Sequence, residues 1–319
     1  MKWTSRPPGA GGTPGASDRP CTPTPDPVIS IARVLRMATI NVNGIRAAQR
    51  RGFSAWLDAC DPGIVALQEV RCPREELPVH AFGALHCAYD AGNRAGRNGV
   101  AILTREPPAA VRTFPHLRGH LDFAAEGRYL EVDLADLPLT VVSVYVPKGG
   151  LPADLQRPGR MRETPDGGAA YARKLRFLAW LGRHTIAARR RARAAGREFV
   201  LMGDLNVAHL PLDVAMWRRS RDAVGFLPAE RDWMDAQLSP RTLVDVVRRL
   251  HPDEPGPYSW WSWLGNSFER DSGWRIDHQL ATPRLARTAV AAHVHRDIDG
   301  VRLSDHAPVV VDYAWAGKD

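Results

Sequence analysis

Short apolar runs recur from Val34 onward, too short for helices and bounded by polar or Gly/Pro turns, which is the pattern of buried strands. Val34–Ile40, Ile64–Leu67, Gly99–Leu103, Phe199–Met202 and Val309–Tyr313 are predicted strands on this basis. Tyr129–Leu134 and Leu139–Val146 read as an antiparallel pair around Asp136-Leu137-Pro138, and Gly273–Leu280 opens a further strand. Helical spacing appears at Phe53, Trp56 and Leu57, and most extensively over Ala169–Ala195, where Leu175, Leu178, Trp180, Leu181 and Ile186 mark one face. Phe226–Met234 and Leu243–Leu250 also read as helical. Strands fall in 34–146 and again in 198–314 with a helical middle and no repeat of a solenoid's period. Two sheets packed face to face with helices outside, forming one domain over 34–316, satisfy that order.

Polar residues collect where the apolar runs stop. Phe199–Met202 ends at Gly203 and delivers Asp204 and Asn206; β-type runs elsewhere end near Asn43, Gln68-Glu69 and Tyr145, and Asp277, Asp305 and His306 flank later strands. Strand ends are where α/β proteins place chemistry. A carboxylate there can take a proton from water, and a carboxamide can meet a phosphate oxygen. Several carboxylates, an Asn pair and one His suit a hard divalent cation held by oxygen beside a phosphodiester. Against this stands the plainer reading of each as a turn or packing residue, which the company of the others makes less favoured. No nucleophile elbow, Walker loop or dinucleotide fingerprint accompanies them.

Composition adds less. Of 319 residues 44% are hydrophobic, enough for a sizeable core, and the formal net charge of +8 favours an anionic partner. Only Lys2, Lys148, Lys174 and Lys318 are Lys; the remaining basic residues are Arg, which suit phosphate but also follow genomic composition. The arginines at 183, 189–191, 193 and 197 are expected to form a solvated helix face rather than a DNA-contacting ridge. Trp261 and Trp263 divide evenly between core and DNA contact. Cys21, Cys60, Cys72 and Cys87 show neither CxxC nor zinc spacing, so no disulfide framework or structural metal is expected, and a reducing cytoplasm fits. No export signal or membrane-length apolar stretch is seen. Residues 1–33 are Pro/Gly-rich at their start, with seven Pro and four Gly in the first 27, and are expected to form a disordered tail.

Taken in order, Asn41-Val42-Asn43-Gly44-Ile45-Arg46-Ala47, Leu67-Gln68-Glu69, Gly203-Asp204-Leu205-Asn206, Phe226-Leu227-Pro228 through Trp233-Met234-Asp235, Gly273-Trp274-Arg275-Ile276-Asp277 and Ser304-Asp305-His306-Ala307-Pro308 resemble exonuclease III and related apurinic/apyrimidinic endonucleases. The resemblance spans nearly all of 34–314; the Trp-Met-Asp and Gly-Trp-Arg-Ile-Asp segments point to the DNA-repair branch of the wider endonuclease/exonuclease/phosphatase superfamily. It implies an α/β fold, a DNase I-like four-layer sandwich of two packed mixed β-sheets flanked by helices, with the site at one edge. It implies Glu69 as main ligand for Mg2+ (Mn2+ as alternative), with Asn43 and Asp305 completing or orienting the metal and its waters. It further implies Asp204 as general base, Asn206 and Tyr145 on the scissile phosphate, and Asp277 orienting His306, with Trp274, Trp260 and Ile276 lining a base-less sugar pocket and Asn41 among the substrate contacts. Whether the attacking water is deprotonated by Asp204 or bound to metal stays open. Lys148 departs from the family's usual neutral amide; a cation can still meet the phosphate backbone, so cleavage is expected to survive, while the balance of abasic incision and 3′ trimming stays open.

The expected partner is double-stranded DNA with abasic sites or 3′ ends, cut by a monomer in the cytoplasm. RNA, phosphoinositide or phospholipid substrates would keep the same site, and several Lys or Arg near Trp260–Trp274 would mark a phosphoinositide pocket. A non-catalytic binding relative would have lost Glu69, Asp204 or His306, and all are present.

Overall fold

A computed structural model describes residues 34–94, 96–114, 123–159, 164–315 and 317; the predicted tail at 1–33 lies outside the described residues. β1 (Val34–Asn41) is buried from Met37 to Asn41, as a strand covered on both faces must be. β2 (Ile64–Gln68) runs parallel to it with Asn41 opposite Gln68, and β12 (Val309–Ala314) runs antiparallel on its other side with Thr39 opposite Val309. β3 (His86–Asp90), β4 (Val100–Thr104) and β11 (Ala289–Val294) complete a sheet of order β11-β12-β1-β2-β4-β3. The second sheet contains β5 (Ala110–Thr113), β6 (Tyr129–Asp133), β7 (Leu139–Tyr145), β8 (Glu198–Asp204), β9 (Val244–Asp245) and β10 (Asp277–Ala281), in the order β5-β6-β7-β8-β10-β9.

Burial follows the strand alternation. Met37, Ala66 and Ile102 of the first sheet meet Val132, Val141, Val200 and Met202 of the second in a shared core. The alternate residues face outward and are covered in turn: Ala38, Ile40, Val65 and Leu67 by α1 (Ile45–Arg50) and α2 (Phe53–Cys60), through Phe53, Trp56 and Leu57. On the opposite side α3 (Ala169–Ala194) lays Phe177, Leu178, Trp180 and Leu181 on Val142, Val144, Phe199 and Leu201. The result is the four-layer α/β sandwich with two mixed sheets.

Several details differ from the pattern-based expectation. The strand pattern leaves the assignment of strands to sheets open: each sheet draws on both halves of the chain, with β11 and β12 returning to the sheet begun by β1. Leu243–Leu250 is not one helix: Val244–Asp245 pair with β10, and α5 (Val246–Leu250) starts only when the Asp245 carboxylate accepts the Arg248 N–H. Phe226 and Leu227 precede α4 (Pro228–Gln237), which begins at a proline. Gly273–Ile276 makes isolated bridges at Trp274 and single backbone bonds to its neighbours without forming a continuous ladder, so β10 starts at Asp277. α6 (Pro283–Arg287) lies between β10 and β11.

Strand direction positions the site. β1, β2, β7 and β8 end at the same edge of the sandwich, whereas β10 and β12, running antiparallel to β8 and β1, begin there. Tyr145 pairs with Asp204 and Asp204 with Asp277 in register. Gly203, at φ +144, lies so close to β7 that an added Cβ would sit 2.0 Å from the Val144 carbonyl, so a side chain there would push the β8 terminus away. The arginines ending α3 sit at the other end of β8: Arg191 binds both oxygens of Glu131 (2.7 and 2.8 Å) and Arg197 donates to the Leu134 and Leu137 carbonyls.

The strand leading into Asp277 is anchored by a buried charge network. Arg275 donates to both oxygens of Asp213 (2.8 and 3.0 Å) and to Asp245, and Arg248 adds a bond of 2.6 Å to Asp213. Removing one member leaves buried carboxylates uncompensated. Arg275→Met is expected to lower unfolding stability by about 3–5 kcal/mol, read from the urea midpoint.

Candidate active site

At this edge the buried Asn41 side chain joins the two sheets: its Nδ2 donates to Glu69 Oε1 at 3.0 Å and to Asp204 Oδ2 at 2.9 Å, and its Oδ1 accepts the Asn43 N–H. Its amide protons are therefore both engaged, and in this structure the residue expected among the substrate contacts is buried and spaces two carboxylates. Glu69 and Asn43 both hold positive φ (50° and 46°), the tight turns by which β2 and β1 leave the sheet.

Asp204 lies just under the pocket floor at 1% exposure. Its Oδ1 accepts the Asn206 N–H at 2.8 Å, and its Oδ2 also accepts Asn206 Nδ2 at 3.1 Å. Burial is the largest influence on its carboxyl and raises the pKa; the His306 charge opposes this, Asp277 and Glu69 add to it, and the net position is well above the usual carboxylate range. Asn206 Nδ2 donates as well to the Val146 carbonyl at 2.9 Å, so here that amide braces Asp204 against the β7 terminus.

His306 Nδ1 pairs with Asp277 Oδ2 at 2.8 Å, which leaves Nε2 facing Asp204 Oδ2 at 3.8 Å. Ser259 holds the same Asp277 oxygen at 2.7 Å while accepting the Asp277 and Ile276 N–H groups. Burial works against charge on the imidazole, but Asp277, Asp204 and Asp305 outweigh it and keep His306 protonated well above the usual histidine range. Tyr145 is pushed well up by burial, then by the charges of Glu69 and Asp204, so its hydroxyl stays a donor.

Asp305 accepts Asn43 Nδ2 at 2.8 Å and Trp260 Nε1 at 3.2 Å; burial alone would raise its pKa, but His306 and these donors hold it below the ordinary value. Glu69 Oε2 is buried without a hydrogen bond and faces the Arg71 guanidinium as an ion pair, and Arg71 also donates to Asn43 Oδ1 at 2.6 Å. Glu69, Asn43 and Asp305 thus form an all-oxygen donor set in which Glu69 Oε2 and Asn43 Oδ1 already face the cationic Arg71 guanidinium, and a set of this kind fits a hard cation such as Mg2+. Among the described residues, Asp204, Asp277 and His306 also bring ligand atoms within 4.8 Å of one another. There His306 Nδ1 is spent on the Asp277 hydrogen bond, whereas the Glu69 set offers oxygen donors alone.

Above these groups opens a pocket of about 370 Å³. Trp260, Trp274 and Ile276 wall it, Glu69, Asn206, Asp305 and His306 reach its floor, and Tyr145 and Lys148 stand at one side. Trp274 is packed edge-on by Phe226, with ring centroids 6.3 Å apart. Val224 and Gly225 also line it, and these the sequence did not single out. Neither arginine of the Trp260–Trp274 neighbourhood enters: Arg275 is spent on Asp213, and Arg270 on the Gly265 carbonyl. The Trp pair beyond the wall separates: Trp261 is core at 1% exposure, while Trp263 is 51% exposed with Arg302 4.1 Å above its ring. Arg71 and Ser259 were also missed, because nothing in their local pattern separates them from turn residues.

Residues 38–306 match the model of the endonuclease/exonuclease/phosphatase family. The chain is 29% identical over 279 residues to recombination repair protein 1 of Drosophila melanogaster, covering 87% of this chain but 37% of that protein, so it spans little over a third of that relative's length. It is 27% identical to exodeoxyribonuclease III of Haemophilus influenzae, covering 88% of this chain and 100% of that protein. Among solved structures, an AP endonuclease from Archaeoglobus fulgidus superposes with a TM-score of 0.72 at 28% identity, covering 88% of this chain and 99% of that one.

Proposed function

The chain belongs to the endonuclease/exonuclease/phosphatase family, and from that premise we propose that it is a metal-dependent DNA-repair phosphodiesterase that incises 5′ to abasic sites and trims 3′ ends. The observation that carries this reading is the pocket: an apolar Trp260–Trp274–Ile276 wall stands beside buried carboxylates and the His306 imidazole held by Asp277. A phosphoinositide headgroup would call for several cations on that wall, and Lys148 is the lining residue of Lys or Arg type.

In this reading the scissile phosphate lies against His306, Tyr145 and Lys148, which line the pocket and carry donors suited to an anion. Asp204, ionised and braced by Asn41 and Asn206, takes the proton of the attacking water. Asp277 fixes the His306 ring and sustains its charge. Glu69, Asn43 and Asp305 would hold a divalent cation, magnesium in preference to manganese, which when bound neutralises charge on the phosphate. The chain would act as a monomer on DNA in the cytoplasm; among the described residues no helix is long and apolar enough to cross a membrane.

The test is an end-labelled duplex with one abasic-site analogue beside an undamaged duplex, each with magnesium or with EDTA. Magnesium-dependent cutting at the abasic position is the expected result, and EDTA should abolish it. Laddering of both duplexes from the 3′ end would make 3′ trimming the main activity. No cutting of either would overturn the DNA reading.

A further inference from the structure

The buried cation beside the site that this chemistry leaves unused is Lys174. It lies near the start of α3 with its side chain fully buried; its Nζ donates to Glu230 Oε1 at 2.5 Å and to the backbone carbonyl of Asn206 at 2.7 Å. Glu230 Oε2 accepts the Leu227 N–H at 2.9 Å, at the entry to α4. The stem of Lys174 fills the space beside Gly149, where an added Cβ would come within 2.7 Å of its Cδ. One side chain therefore touches the loop after β7, the turn after β8 and the start of α4.

An ion pair this deep is a costly way to fill space, since well-packed apolar residues of the same volume are often as stable or more so. Its geometric consequence falls on Asn206. That residue holds φ +51, the left-handed region that Asn enters more readily than most residues with a side chain, and in this conformation its N–H and Nδ2 both reach Asp204. The Lys174 ammonium binds that residue's carbonyl, so the turn is held both through the Asp204 carboxylate and through Lys174.

We propose that Lys174 is a positioning residue: by pinning the Asn206 carbonyl it holds the Asp204-Leu205-Asn206 turn in the geometry that phosphodiester hydrolysis needs. What the turn does rests on the function proposed above; where it is held does not.

Lys174→Met keeps the stem and removes the donor. In the folded variant kcat on the abasic duplex should fall about 10- to 100-fold with KM within about twofold, as displacement of a catalytic group does. Amide exchange at Asn206 should speed up while Val200, Leu201 and Leu280 keep their protection. Lys174→Gln, which retains an N–H donor, should recover part of both. If unpaired Glu230 prevents folding, Lys174→Met with Glu230→Gln removes both charges and carries the same expectations. Wild-type kcat with unchanged Asn206 exchange would overturn the proposal, and so would protection lost evenly through the core. If the wild-type protein cuts no DNA, the phosphodiesterase reading falls, while the exchange data still decide whether Lys174 fixes the turn.

Discussion

Asp204→Asn is expected to lower the rate of incision on the order of 10³-fold while leaving duplex binding within a few-fold of wild type, because the variant loses proton acceptance and little else at the surface. The side chain is 1% exposed and absent from the pocket lining, so substrate affinity has little to lose. The amide is not silent within the fold: both Asp204 oxygens accept N–H groups, and an NH2 must face one of those donors, at a cost of about 1–3 kcal/mol. Thermal unfolding should be recorded beside kcat to separate the two effects. The pH dependence has a definite sign. A general base works when deprotonated, and burial has moved Asp204 upward, so kcat should still be climbing with pH well above the range near 4 where an unperturbed aspartate titrates. A profile flat from pH 5 upward, or Asp204→Asn cutting at the wild-type rate, would remove Asp204 from the role of base.

The strands that deliver the site were legible because each is a buried run that stops at a polar residue. Phe199–Met202 leading to Asp204 is the clearest case, and Ile64–Leu67 leading to Glu69 the next. Edge strands were not: His86–Asp90 mixes a buried Tyr89 with half-exposed neighbours, and Ala110–Thr113 has no buried residue at all, so neither shows a period. The site residues could be named from their motifs, but the contacts between them could not. Asn41 was expected at the substrate; it lies 163 positions from Asp204, and only the packing of one sheet on the other reveals that it bridges the two carboxylates. Asn206 shows the same limit, since a carboxamide two residues from a carboxylate can point to phosphate or back at the chain, and the positive φ decides for the latter. Lys174 was invisible for a different reason: a lysine on an amphipathic helix reads as solvated until the loop carrying Gly149 is seen to close over it.

Asp277 and His306 are expected to behave as one unit. His306→Gln removes the protonated donor from the pocket floor and should cost on the order of 10²–10³-fold in kcat, the usual effect of losing one donor to a developing oxyanion. Asp277→Asn should cost about as much without touching the pocket: Asp277 is fully buried, is not among the lining residues, and bonds Ser259 and His306 Nδ1. Its carboxylate is the strongest of the influences that keep the imidazole charged, so an amide there weakens the hold on the His306 proton and frees the ring to turn. Because Asp277 acts through His306, the double variant should be little worse than either single one, whereas independent contributions would multiply to about 10⁴-fold or more. Steady-state kinetics of the three proteins on the abasic duplex decide between these outcomes. A multiplicative double variant would mean that Asp277 contributes by a route other than the imidazole, for which its second carboxylate oxygen, buried and without a hydrogen-bond partner, is the place to look.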